Sequence, residues 1–120
     1  MPDVLLIDDN AVQLCVRESV LCDAGISVAR ASSGEEALTR LRSFPATVKV
    51  IVTDHVMPEV NGPTFVRQLR EFDPSVPVVV ISGMSETEQE YSGLNVTFLQ
   101  KPCPPDSLIR EVRARLLHLA

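Results

Sequence analysis

Four stretches of this chain are almost wholly apolar, and each gives way abruptly to polar residues. Residues 4–7, Val-Leu-Leu-Ile, stop at Asp8-Asp9-Asn10. Residues 48–53, Val-Lys-Val-Ile-Val-Thr, stop at Asp54. Residues 76–81, Val-Pro-Val-Val-Val-Ile, stop at Ser82-Gly83, and residues 96–100, Val-Thr-Phe-Leu-Gln, lead into Lys101-Pro102. The first of these runs, continuous and without alternation, predicts a strand buried on both faces, and the other three predict further strands. Residues 27–31, Ser-Val-Ala-Arg-Ala, alternate weakly and predict a fifth, short strand.

The segments between them carry helical spacing. Over residues 11–24, Val12, Val16, Val20 and Ala24 recur every four residues, while Gln13, Arg17, Glu18 and Asp23 stay polar, which predicts a helix with an apolar stripe that Leu14, Cys15, Leu21 and Cys22 widen. Gly25 supplies the stop. Ser33-Gly34-Glu35-Glu36 has the form of a capping box opening a helix to about Ser43, with Ala37, Leu38 and Leu41 inward. Pro45 bars its extension. Pro63 is placed as the first residue of a third helix, whose apolar face is Phe65, Val66 and Leu69 and whose end is Asp73-Pro74. Pro104-Pro105-Asp106 opens a last helix with Leu108, Ile109, Val112, Leu116 and Leu117 for packing. Residues 85–92 offer only Tyr91 for burial, so any helix there is short and weakly anchored.

Strand and helix thus alternate five times, which predicts one α/β domain over residues 1–120, a parallel sheet between two helix layers. Such sheets bind ligands outside the carboxyl ends of their strands. The 120 residues suffice for a single core. A net charge of −5 repels phosphate backbones and anionic lipid, so direct nucleic-acid binding is not expected. No apolar run is long enough to span a bilayer, and the first residues lack a signal-peptide pattern. Neither membrane insertion nor export is therefore expected. Cys15, Cys22 and Cys103 lack metal-ligand spacing and read as small packed thiols in a reducing cytoplasm.

Chemistry gathers at the carboxyl edge. The first strand delivers Asp8 and Asp9, the third Asp54, the fourth Ser82 and the bare backbone of Gly83, and the fifth Lys101. Each alone is an ordinary strand-end or surface residue. Together, three converging carboxylates call for a hard divalent cation, for which Mg²⁺ leaves room for phosphate oxygens. A lysine and a hydroxyl at the same edge suit a phosphoryl group, so the set fits phosphoryl transfer to a carboxylate. His55 adjoins Asp54, but alternation along an extended chain turns it away. His118 and the run 86–90 read as solvated surface.

The acidic pair Asp8-Asp9, the Asp54…Met57-Pro58…Gly62 pattern, Ser82-Gly83 and Phe98-Leu99-Gln100-Lys101-Pro102 are specific in this order, and over essentially its whole length the chain resembles a response-regulator receiver domain. The resemblance implies a flavodoxin-like (βα)5 three-layer sandwich with strand order 2-1-3-4-5. It implies that Asp54 accepts a phosphoryl group from a histidine kinase or histidine phosphotransfer protein. Mg²⁺ would be held by Asp9, Asp54 and the Val56 carbonyl, with Asp8 acting largely through water. Lys101 would pair with the phosphoryl group, Ser82 would swing to bind it, and Phe98 would stand at the aromatic switch position. A cis Lys101-Pro102 bond, a cytoplasmic location and a receiver homodimer belong to the same expectation.

The chain departs from the family pattern in three places. Val56 and Met84 stand where relatives with fast phosphate loss carry polar residues that orient a water, which implies slow loss of phosphate here. The eighteen residues from Gly83 to Gln100 are fewer than usual, which implies a short or mobile helix before the last strand, as in receivers of hybrid histidine kinases. Pro104 takes the place of a polar helix cap, and Cys103 of an aromatic. Two other functions compete with a phosphorylated switch. An unphosphorylated pseudo-receiver would be a binding module, but the five edge residues are intact. An aspartyl-phosphate phosphatase would present Asp-x-Asp on one strand, whereas Thr53-Asp54-His55-Val56 has no second Asp.

Overall fold

The computed structural model describes residues 2–43, 48–55, 61–83 and 89–118, the side chain of His118 excepted. In chain order the elements are β1 (Val4–Ile7), α1 (Ala11–Asp23), β2 (Val28–Ala31), α2 (Gly34–Ser43), β3 (Val50–Asp54), α3 (Gly62–Phe72), β4 (Val78–Ser82), β5 (Thr97–Gln100) and α4 (Pro105–His118). All strand pairs are parallel and the order is β2-β1-β3-β4-β5.

The side-chain period of two splits the apolar runs between two cores. Leu5, Ile7, Ile51, Val78 and Val80 pack with Ala37, Leu38 and Leu41 of α2 and Phe65, Val66 and Leu69 of α3. Val4, Leu6, Val50, Val52, Val79 and Ile81 pack with Leu14 and Leu21 of α1 and Leu108 and Val112 of α4. This is the expected three-layer sandwich. Burying each of the larger side chains contributes about 1.5–3 kcal/mol, enough to hold short strands in register.

Only half of the stripe on α1 packs: Val20 and Ala24 meet the core, and its first two valines do not. Val12 is 75% and Val16 57% exposed, while Leu14 and Leu21 are buried. The larger leucines take the sheet, which rotates α1 and brings Gln13 and Arg17 over the edge of the sheet. The same rotation leaves Cys15 and Cys22 exposed, so they are free surface thiols and not packed ones; Cys103 is half-buried and also free.

Boundaries moved by a residue or two. β3 starts at Val50 and takes in Asp54, and β4 starts at Val78. Gly62, not Pro63, opens α3, capped by the Asn61 side chain accepting from the Thr64 N–H. The Ser33 hydroxyl caps α2, accepting from the Glu36 N–H, but the Glu36 carboxylate turns to the Ser32 hydroxyl at 3.0 Å, so the reciprocal half of the box is missing. Pro104 ends up capping α4 through its carbonyl, which accepts from Ser107 and Leu108. The Lys101-Pro102 peptide is cis.

Between β4 and β5 the described residues form no α-helix, only a single 3₁₀ turn at residues 89–91. Its anchor is Tyr91, 3% exposed. Arg70 of α3 ties the approach to β5 to the approach to β4, donating to the carbonyls of Leu94 (2.9 Å) and Asn95 (3.0 Å) and to those of Val76 (2.8 Å) and Asp73 (3.2 Å). Sequence patterning gave no hint of this brace.

Candidate functional site

Register brings the edge residues together. Ile7 lies beside Thr53, so Asp8 and Asp54 are the next pair along, and Asp54 in turn lies beside Ile81. Ser82 pairs with Gln100, which places Lys101 one step beyond, its N–H donating to the Ser82 carbonyl at 2.8 Å. Asp8, Asp54 and Ser82 are all buried.

Lys101 Nζ lies 3.0 Å from both carboxylate oxygens of Asp54. Only Oδ2 receives it in hydrogen-bonding geometry, and Oδ1 is a buried acceptor with no hydrogen bond. The Asp8 carboxylate accepts the Asn10 N–H on Oδ1 and the Arg17 Nη1 on Oδ2, at 2.9 and 2.8 Å. The same Nη1 is 4.0 Å from Asp54 Oδ2. With its carboxamide nitrogen turned to the acids, Gln13 donates to Asp8 Oδ2 at 2.7 Å and to Asp54 Oδ2 at 3.2 Å. Burial pushes the Asp8 carboxyl above the ordinary carboxylate range, and the charges of Asp54 and Asp9 add to this. The Asn10 N–H and Arg17 pull it partly back.

Asp8, Asp54, Ser82 and Lys101 therefore converge. Asp9 is exposed at the mouth and Gly83 at the surface. A Cβ on Gly83 would meet only the Lys101 stem, at 3.9 Å, so that position demands no glycine on steric grounds. Val56 and Met84 lie outside the described residues. Phe98 packs edge-on against Tyr91, with centroids 5.3 Å apart, on the face opposite Leu99. Among the described residues no three His, Cys, Asp or Glu side chains form a ready-made metal cage. The donors still suit a hard cation. Two buried carboxylates stand side by side, one with an oxygen lacking a hydrogen bond, and a third acid stands at the mouth.

Two contributors were invisible to sequence patterning. Gln13 and Arg17 read as the outward face of α1, yet they are four residues apart, stacked on one side, and lead directly off the acidic pair. His55 does turn away from the acids, but to a structural task. Its Nδ1 bonds the Tyr91 hydroxyl at 2.8 Å, its Nε2 lies 3.4 Å from Glu90, and its ring meets the Tyr91 ring edge-on. Burial pushes the Tyr91 phenol well above its ordinary value, helped by the charges of Glu90 and Asp54.

Comparison with known proteins places this arrangement. The sequence profile described as the response regulator receiver domain matches residues 4–113. The sensor kinase CckA of Brucella abortus (strain 2308) is 36% identical over 83 residues, 69% of this chain and 9% of that protein. The C4-dicarboxylate transport transcriptional regulatory protein DctD of Pseudomonas aeruginosa is 34% identical over 117 residues, 94% of this chain and 25% of that protein. The crystal structure of the receiver domain from the hybrid histidine kinase CckA superposes with a TM-score of 0.80 at 31% identity, covering 94% of this chain and 97% of that one. The chain thus spans a quarter or less of the length of these two curated relatives.

Proposed function

This chain belongs to the response-regulator receiver family, whose members are signalling domains of two-component systems, and from that premise we propose that it is a phosphorylation switch with Asp54 as phosphoacceptor. One observation carries the reading: a buried carboxylate at the end of β3, beside a second buried carboxylate, with a lysine ammonium 3.0 Å from both its oxygens.

An Asp54 oxygen forms the bond to phosphorus as the donor's phosphorus–nitrogen bond breaks, and the electron pair leaves with the donor imidazole. Lys101 holds the acceptor oriented at the start and afterwards supplies a point charge to the phosphoryl oxygens. Ser82, one register step from Lys101, donates its hydroxyl to the same group. Asp9 and Asp54 would hold Mg²⁺ with the Val56 carbonyl, Asp8 largely through water, and the ion would neutralise charge on the phosphoryl oxygens. Phe98 and Tyr91 form the aromatic pair that senses the change.

The donor is a histidine kinase or a histidine phosphotransfer protein in the cytoplasm. It docks beside α1, where Val12 and Val16 stand exposed next to the rim. Val56 and Met84 offer no polar group to orient a water, so the phosphoryl group is lost slowly. Val56→Asn with Met84→Glu should shorten its lifetime, and equal lifetimes would reject this point. Arg17, already seated on Asp8, favours a second reading, a pseudo-receiver that is never phosphorylated.

Mass spectrometry after incubation with Mg²⁺ and acetyl phosphate separates the two. A single adduct, absent from Asp54→Ala, is the expected result. No adduct on the wild type would leave the pseudo-receiver.

A further inference from the structure

We propose that Arg17 is a tethered cation that competes with the divalent ion for Asp8, so that metal loading of this receiver requires Arg17 to withdraw from the rim. The proposal rests on the metal-dependent reading given above and concerns a residue outside the acidic set itself.

The first support is charge. Asp8 and Asp54 carry two negative charges, and Arg17 and Lys101 return two positive ones. The buried part of the rim is therefore balanced without a metal. With Asp9 at the mouth counted, a divalent ion added beside both cations would turn the net charge of the site from −1 to +1, whereas an ion that displaces Arg17 leaves it neutral, so the ion is better held when Arg17 leaves.

The second support is geometry. Arg17 Nη1 occupies Asp8 Oδ2 at 2.8 Å and reaches within 4.0 Å of Asp54 Oδ2, so it stands between the two buried carboxylates. Gln13, one turn earlier on the same helix, donates to the same two oxygens. The Arg17 side chain is 11% exposed and Asp8 fully buried, which distinguishes this pair from a solvated surface contact. The guanidinium thus stands where a metal-bound water would meet Asp8 Oδ2, and it crowds the Asp54 oxygen beside it.

The third support is room. Next to Arg17 lies a cavity of about 310 Å³ between α1 and the start of α4, bordered by Val20, Cys103 and Leu108. The guanidinium can swing into it while its stem stays on α1. Lys101 also borders this cavity, with its Nζ on Asp54.

The test is Mg²⁺ binding to the unphosphorylated full chain, by calorimetry and by the melting temperature as Mg²⁺ is raised. Arg17→Met keeps the length and apolar stem but removes the charge. It should bind Mg²⁺ about tenfold tighter or more, the scale of one charge-assisted hydrogen bond no longer displaced. It should also melt lower than wild type without Mg²⁺ and gain more from it, because Asp8 then has no cation until the metal arrives. Equal or weaker Mg²⁺ affinity in Arg17→Met overturns the proposal. If neither protein binds Mg²⁺, the metal reading fails and this proposal with it; if both bind equally, only the proposal fails. Should Arg17→Met not fold, the wild type still decides. Its Arg17 side-chain nitrogen resonance should shift with the same Mg²⁺ midpoint as the Asp54 amide, and a guanidinium signal that stays fixed while that amide titrates refutes the exchange.

Discussion

Gly62→Ala is expected to destabilise the protein through Tyr91, although alanine is the better helix former. A Cβ at Gly62 would collide with the Tyr91 hydroxyl and would stand 3.1 Å from both the Tyr91 Cζ and the His55 carbonyl. Tyr91 cannot step back without loss. Its hydroxyl is bonded to His55 Nδ1 at 2.8 Å, and its ring packs edge-on against His55 and Phe98, with centroids 5.6 and 5.3 Å away. Giving up a buried hydrogen bond with its partner left unsatisfied costs about 1–3 kcal/mol, and disturbing an aromatic pair about 0.5–1.5 kcal/mol. Helix propensity returns at most about 1 kcal/mol. The net expectation is a loss of about 2 kcal/mol in urea unfolding followed by circular dichroism. Tyr91→Phe alone should cost about 1–2 kcal/mol, since it strands His55 Nδ1. In the double variant the hydroxyl is no longer there to be struck, so the costs should fall short of additive by about 1 kcal/mol or more. Strict additivity would show that Gly62 and Tyr91 do not share one space, and the reasoning would fail.

The remaining predictions use the same neighbourhood and the exposed face of α1. Tyr91 is the single tyrosine of a chain without tryptophan, so phenolate absorbance reads it alone. Its folded pKa is raised above the ordinary value of about 10. The resulting stability is therefore present below that pH and is lost as pH climbs toward the folded value. Phenolate should appear only together with cooperative alkaline unfolding; smooth ionisation of the native protein near pH 10 would contradict the burial argument. Arg70→Met strands four carbonyls, two before β4 and two before β5, and should cost about 2–3 kcal/mol, with faster amide exchange over residues 92–96. Unchanged exchange there would mean that Arg70 is no brace. Val12→Asp with Val16→Asp should slow phosphoryl transfer from a protein donor at least tenfold and leave acetyl phosphate labelling unaltered. A loss in both assays would point to misfolding and not to docking.

The sheet was legible because each strand is a local statement. An uninterrupted apolar run has one comfortable home, between two helix layers, and four such runs with a weaker fifth, interleaved with helices, leave few topologies. The chemistry at the sheet edge was legible for the same reason. Asp8, Asp54, Ser82 and Lys101 each terminate or follow a run, and a parallel register gathers the ends. What patterning left open was rotation. On α1 the every-four-residue valines and the leucines seven apart offer two overlapping stripes, and only the sheet decides which is buried. It chose Leu14 and Leu21, the larger pair.

That rotation has a consequence for function. With Val12 and Val16 inward, Gln13 and Arg17 would project into solvent and the acidic rim would carry an uncompensated excess of negative charge. With the leucines inward, one helix presents two different faces. Arg17 and Gln13 reach the buried carboxylates, and the exposed valines lie beside the rim, where the proposed donor would approach. The helix that balances the rim is then the helix a donor would touch. A partner pressing on Val12 and Val16 acts on the same backbone that holds Arg17 against Asp8, and can bias Arg17 toward or away from the acids. If so, the affinity for Mg²⁺ should change when the unphosphorylatable donor is bound, in wild type but not in Arg17→Met. Linkage requires the reciprocal effect of Mg²⁺ on donor affinity to be of equal size. A donor that leaves Mg²⁺ affinity unchanged would separate the two faces of α1 and confine Arg17 to electrostatic balance.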